Sequence, residues 1–163
     1  MSAEAQRLAA QLKRYFTKNT GVFLPFSDAT EGLTAAQALR VPQEKFNSIW
    51  SVVNHVCYWD EAALLTIQGS DKQPETVGGA TGGWHSPESA DDAAWQALRA
   101  RALAIHEQLA DAIAALDDEQ LHSVKAVWRQ TPYQIGESLL AHDSYHTCEI
   151  ITLRHMQGLW VNA

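Results

Sequence analysis

His142 and His146 stand four residues apart in the segment Leu139-Leu-Ala-His-Asp-Ser-Tyr-His-Thr-Cys-Glu-Ile-Ile-Thr-Leu153. At about 100° per residue, Ile135, Leu139, His142, His146, Ile150 and Leu153 share one side of a helix, the apolar side. An imidazole on a core face needs a partner, because an unsatisfied buried polar group costs about 1–3 kcal/mol. Two imidazoles one turn apart can share a divalent metal ion, the geometry that makes paired histidines a zinc site. Two core histidines hydrogen-bonded to each other, or to Tyr and Ser, would satisfy the same placement.

A third ligand is offered by His55, midway along Trp50-Ser-Val-Val-Asn-His-Val-Cys-Tyr-Trp59, the most apolar stretch of the chain. Three neutral imidazoles leave a position open on the ion, which is the layout of a catalytic site rather than a closed structural one. An ion so held lowers the pKa of bound water or activates a thiolate. Glu149 projects about 60° from His146 and is the candidate catalytic residue, as general base, fourth ligand or acceptor behind a ligand, with an edge-of-core ion pair as the plain alternative. His155 points about 180° away from His146, toward the surface. His85, His106 and His122 carry no geometric argument. Cys57 and Cys148 each follow a candidate histidine by two residues and so turn about 200° from the site; both are expected to be reduced and mostly buried. Trp59, one turn after His55, is placed to wall a pocket.

Four long segments with helical periodicity position these groups, and no run alternates like a strand. The first spans about Ala3 to Lys18, with Leu8, Leu12 and Tyr15 or Phe16 inward and Gly21 as a stop. A short helical piece at Thr34-Ala-Ala-Gln37 has capping-box form and ends by Pro42. The second long helix, about Asn47 to Gln68, is apolar nearly all round and should be the most buried. A Gly-rich connection, Gly69 to Ser86, can cross the domain without structure of its own and is expected to be mobile. The third helix starts near Ser86-Pro87 or Ser89, with Ala94, Leu98, Ala102, Ile105, Leu109, Ile113 and Leu116 as its stripe. Thr131-Pro-Tyr-Gln134 opens the fourth, and Gly158 closes it. Between these last two helices, Val124, Val127 and Trp128 are expected to cover one end of the core. The pattern implies an all-α four-helix bundle with a long crossover.

The chain has 163 residues, one domain's length, so 1–163 reads as a single helical bundle domain. Its 46% apolar and 19% charged residues mark a globular protein. A formal net charge of −7 with scattered basic residues argues against nucleic acid. No apolar run approaches a membrane span and the start lacks a signal-peptide pattern, so a cytoplasmic protein with no membrane partner is expected.

The pairing of Ser48-Ile-Trp-Ser-Val-Val-Asn-His55 with His142-Asp-Ser-Tyr-His146-Thr-Cys-Glu-Ile-Ile-Thr-Leu-Arg154 and Gly158 resembles the DinB/YfiT-like superfamily of helical metal-binding proteins. The resemblance spans nearly the whole chain, with one departure: Cys148 stands before Glu149 where relatives often carry glycine. It implies an up-down-down-up bundle, often a homodimer, with Ni2+ or Zn2+ held by His55, His142 and His146. Relatives include thiol transferases, an isomerase and hydrolase-like proteins. The implied function is therefore a metal-dependent thiol S-transferase or hydrolase acting on a small-molecule substrate or thiol cofactor; the alternative is a non-catalytic metal-binding or stress-response protein.

Overall fold

A computed structural model of the chain describes residues 2–18, 20–70, 72, 74, 81–84, 87 and 89–161. Its described residues form helices α1 (Ala3–Thr17), α2 (Phe26–Thr30), α3 (Ala35–Leu39), α4 (Ile49–Ile67), α5 (Asp92–Ala114), α6 (Asp118–His122) and α7 (Pro132–Met156). There is no strand among them, only an isolated antiparallel bridge between Lys125 and Gln130. No described helix is long and apolar enough to cross a membrane.

Side-chain caps set the helix starts. Ser2 accepts from the amides of Glu4 and Ala5, and Ser48 from that of Ser51. Thr34 with Gln37, and Thr131 with Gln134, close reciprocal capping boxes where the sequence places them. The third long helix starts later than its serines suggest. Asp91 is the cap, accepting from Ala94, while Ser89 donates to Asp91 instead of capping; a carboxylate at the cap also suits the positive helix end. Ser86 and His85 lie outside the described residues, as do 71, 73 and 75–80 of the connection 69–86, so its expected mobility falls largely outside them.

The four long helices touch in a closed cycle, α1 on α5, α5 on α4, α4 on α7 and α7 on α1. Of the two aromatic candidates in α1, Phe16 enters the core and Tyr15 stays at the surface. α4 is the most enclosed: Val56 and Cys57, on different sides of it, are both fully buried within this one chain. The segment carrying α2 and α3 is held by donors from α5 and α7. Trp95 Nε1 donates to the Leu33 carbonyl, Arg99 to Thr30 and the Ser27 carbonyl, and Arg154 to the carbonyls of Ala29 and Glu31. These bonds saturate chain ends that would otherwise be orphaned near the core.

The segment after α6 departs from expectation. The Lys125–Gln130 bridge closes a turn, so Val124 and Val127 stand in solvent and only Trp128 is half-buried. Leu121, on α6, covers that end of the core instead.

Phe16 is packed face to face between Phe26, with ring centroids 4.3 Å apart, and His106 at 3.7 Å. Phe16→Ala should therefore cost about 3–5 kcal/mol, seen as a lower midpoint in urea at unchanged slope. A loss below about 1 kcal/mol would contradict this packing.

Candidate metal centre

α4 carries His55 and α7 carries His142 and His146, and the packing of α4 on α7 brings one ligand atom of each within 4.8 Å of the others. His55 and His146 are buried and His142 half-buried. His55 Nε2 and His142 Nε2 lie 3.1 Å apart. Two nitrogens on one tetrahedral ion with bonds of about 2.0–2.1 Å would be separated by about 3.3 Å, so the spacing suits a shared cation.

The outer nitrogen of each ring settles what the inner one can do. His55 Nδ1 donates to the Gly82 carbonyl at 2.6 Å, His142 Nδ1 to Asp143 Oδ1 at 3.0 Å, and His146 Nδ1 to Glu149 Oε2 at 2.8 Å. Each acceptor is an oxygen with no proton to give, so each Nδ1 carries a proton and Nε2 is the atom left to bind an ion. Burial, followed by the charges of His146 and His142, lowers His55 to about 4 against the pull of its Gly82 bond, so this ring is neutral at pH 7. Two facing lone pairs at 3.1 Å cannot form a hydrogen bond without an extra proton; a cation between them resolves the clash. The donor set therefore fits a first-row divalent ion, as neutral imidazoles suit Zn2+ and Ni2+.

The Gly-rich connection returns to cover His55. Gly83 has φ +85 and sits so close to α4 that a Cβ would meet the His55 Cα at 2.8 Å, so only glycine fits there. Its carbonyl accepts from Asn54 Nδ2 at 2.6 Å. Trp84 then stacks on the His55 ring with centroids 3.9 Å apart. Trp59 meets His55 only edge-on, at 6.3 Å, and packs against Gly82. Glu149 sits behind His146, its other oxygen accepting from Asn47 Nδ2 at 2.9 Å. The His146 bond, opposed by burial and aided by Asn47, holds Glu149 below the usual carboxylate range.

The remaining candidates stand apart from this cluster. His122 pairs with Glu4 at the surface, and His155 is half-buried against Trp160, at a centroid distance of 4.3 Å. Cys57 is buried, but Cys148 is exposed, since its place two residues beyond His146 turns it outward. No disulfide joins them.

A second polar cluster escaped the sequence reading. Asp60 of α4, His106 of α5 and Asp143 of α7 meet in the core, all buried. His106 Nδ1 lies 2.8 Å from Asp60 Oδ2 and 3.3 Å from Asp143 Oδ2, and its Nε2 lies 3.2 Å from the Leu12 carbonyl. By composition the cluster can hold a cation. Both ring nitrogens face oxygen acceptors, however, which makes protonated His106 itself the cation. Burial alone would depress His106, but the Asp60 charge and hydrogen bonds to both aspartates raise it to about 10. Burial and the Asp143 charge raise Asp60 to about 6. Burial opposes ionisation of Asp143 too, yet bonds from His106 and His142 hold it below the ordinary range. The one clue available in sequence was an acidic residue, Asp60, inside the most apolar helix.

Compared with known proteins, the chain matches the sequence profile of the DinB superfamily over residues 25–150, a span that includes His55, His142 and His146. No curated protein and no solved structure gives a significant match.

The buried cation has a thermodynamic signature. Folded His106 keeps its proton up to about pH 10, whereas the unfolded chain releases it near 6.5. Its contribution is complete below pH 6.5 and is lost as pH rises through 10. Asp60, raised from 3.8 to about 6, acts with the same sign, its contribution complete below pH 3.8 and lost as pH rises through about 6. The melting temperature of metal-free protein should fall from pH 7 to pH 10, and a flat profile would rule out a charged His106.

Proposed function

The chain belongs to the DinB superfamily, and from that premise we propose that it holds one divalent ion, Ni2+ or Zn2+, through the Nε2 atoms of His55, His142 and His146. We further propose that it is a metal-dependent enzyme of the thiol S-transferase or hydrolase type, acting on a small molecule. The observation that carries the metal reading is the triple oxygen clamp on Nδ1, which leaves Nε2 as the free ligand atom of three rings whose ligand atoms lie within 4.8 Å of one another. When bound, the ion supplies a Lewis acid with at least one position for water or a thiol.

The chain's own residues orient the ligands and shield them. The Gly82 carbonyl fixes the His55 ring, Trp84 excludes water from one face of it, and Glu149, steadied by Asn47, holds His146. Beside Glu149 opens a cavity of about 280 Å³ lined by Phe46, Tyr145, Cys148, Thr152 and Leu153, a mostly apolar recess of small-molecule size. This recess supports a small substrate and places Glu149 between it and His146. In this reading Glu149 orients a ligand and is also the group best placed to move a proton.

The cycle of four long helices, with the long connection joining α4 to α5, supports an up-down-down-up bundle formed by one domain over 1–163. A homodimer and a cytoplasmic location complete the proposal. The dimer rests on the family, because Val56 and Cys57, on different sides of α4, are buried within the chain and call for no partner. The burial of His55 and His146 favours a second reading, a non-catalytic metal-binding protein whose site is closed to substrate.

Metal analysis of untagged protein should find one Ni2+ or Zn2+ per chain. His146→Ala should lose tight binding and His155→Ala should keep it; equal loss in both would indicate surface chelation. Glu149→Gln separates two roles, since a general base loses turnover with metal retained, whereas an orienting group loses about 10–100-fold in metal affinity. Metal-loaded protein inactive toward thiol, ester and amide substrates would leave the binding-protein reading standing.

A further inference from the structure

We propose that Asp143 is a positioning residue for the metal ligand His142, and that its aim is set by the buried pair His106–Asp60, so that a polar array in the core holds the metal site from behind. This rests on the metal reading above. Neighbouring residues on a helix project about 100° apart and do not ordinarily face each other. Yet Asp143 Oδ1 reaches back to its neighbour's Nδ1 at 3.0 Å. Such a contact persists only if something fixes the carboxylate from another direction. His106 does so by charge: its Nδ1–H donates to Asp60 Oδ2 at 2.8 Å, and the same nitrogen stands 3.3 Å from the other oxygen of Asp143, an ion-pair contact to an oxygen that accepts no hydrogen bond.

His106 is itself immobile. Its Nε2 is tied to the Leu12 carbonyl and its ring is stacked on Phe16. The path Leu12, His106, Asp143, His142 thus runs from α1 through α5 to α7 and ends at a ligand nitrogen.

His142 is the ligand with most need of such support. His55 is clamped by a backbone carbonyl and covered by Trp84, while His146 is buried against Glu149. His142 is half-buried, and Asp143 is the acceptor that keeps its proton on Nδ1. Without that acceptor the ring can turn over or change tautomer, and Nε2 leaves the site.

Two variants leave every ligand in place. In Asp143→Asn, an amide that accepts from His142 turns its NH2 toward the His106 N–H, so one of the two contacts must fail. In His106→Gln, Asp143 remains but loses the ring that aims it. With zinc as the probe and a competing chelator, Asp143→Asn should bind about 10–100-fold more weakly and His106→Gln severalfold more weakly, with wild-type far-ultraviolet circular dichroism in the metal-free state. Wild-type affinity in both folded variants would overturn the inference and leave the metal reading intact; wild-type protein that takes up no zinc would overturn both. A second zinc equivalent that disappears in His106→Gln would also overturn it, because His106 would then be a ligand. A further measurement needs no variant: imidazole nitrogen shifts of wild-type, metal-free protein should place the His142 proton on Nδ1. A proton on Nε2 would overturn the inference even if neither variant folds.

Discussion

The fold is organised around a charge in its core. Each of the four long helices contributes to the environment of His106: α1 a backbone carbonyl and the face of Phe16, α4 and α7 a carboxylate each, and α5 the imidazole itself. A buried ion left unpaired is far costlier than a missing apolar contact, so the helices must arrive in one relative register or leave a charge exposed to a low-dielectric interior. Apolar packing alone tolerates small slides of one helix along another. The hydrogen-bonded cluster does not, and it fixes α7 against α4, the interface that also assembles the histidines.

Metal-site geometry here is largely a matter of protons. Three imidazoles within reach of one another have no fixed chemistry until the position of each proton is set, and oxygen acceptors set all three. Those acceptors come from different sources: a loop carbonyl for His55, the helix's own next residue for His142, and a residue one turn on for His146. Ligand identity is thus spread over two helices, while ligand orientation draws on the connection and the core as well.

The sequence was informative wherever a local rule decides. Capping boxes at Thr34 and Thr131 and the stripe on α7 are properties of short segments, and they hold with little adjustment. The triad was legible because a helical stripe and a second apolar helix each carried histidine where apolar residues belong. Asp60, His106 and Asp143 were not legible as a cluster, since beyond the acidic Asp60 in the most apolar helix nothing marks them out and they acquire joint meaning only when three helices meet. Asp91 displaced the serines as cap by one local competition, and Val124 and Val127 face outward because a bridge between Lys125 and Gln130 overrides their apolar character.

Among the three acceptors, the one behind His55 differs in kind. Asp143 and Glu149 are side chains, which substitution can delete and protons can neutralise. The Gly82 carbonyl is main chain, and neither mutation of that residue nor acid removes it. The orientation of His55 is therefore a property of the loop's path rather than of any residue's chemistry. Sequence change in this connection can reach the ligand through its length, through the left-handed turn at Gly82 and Gly83, or through Trp84 on the ring, but cannot delete the acceptor. One ligand thus keeps its acceptor whatever side chain the loop carries, whereas in the last helix a single substitution can remove the acceptor itself.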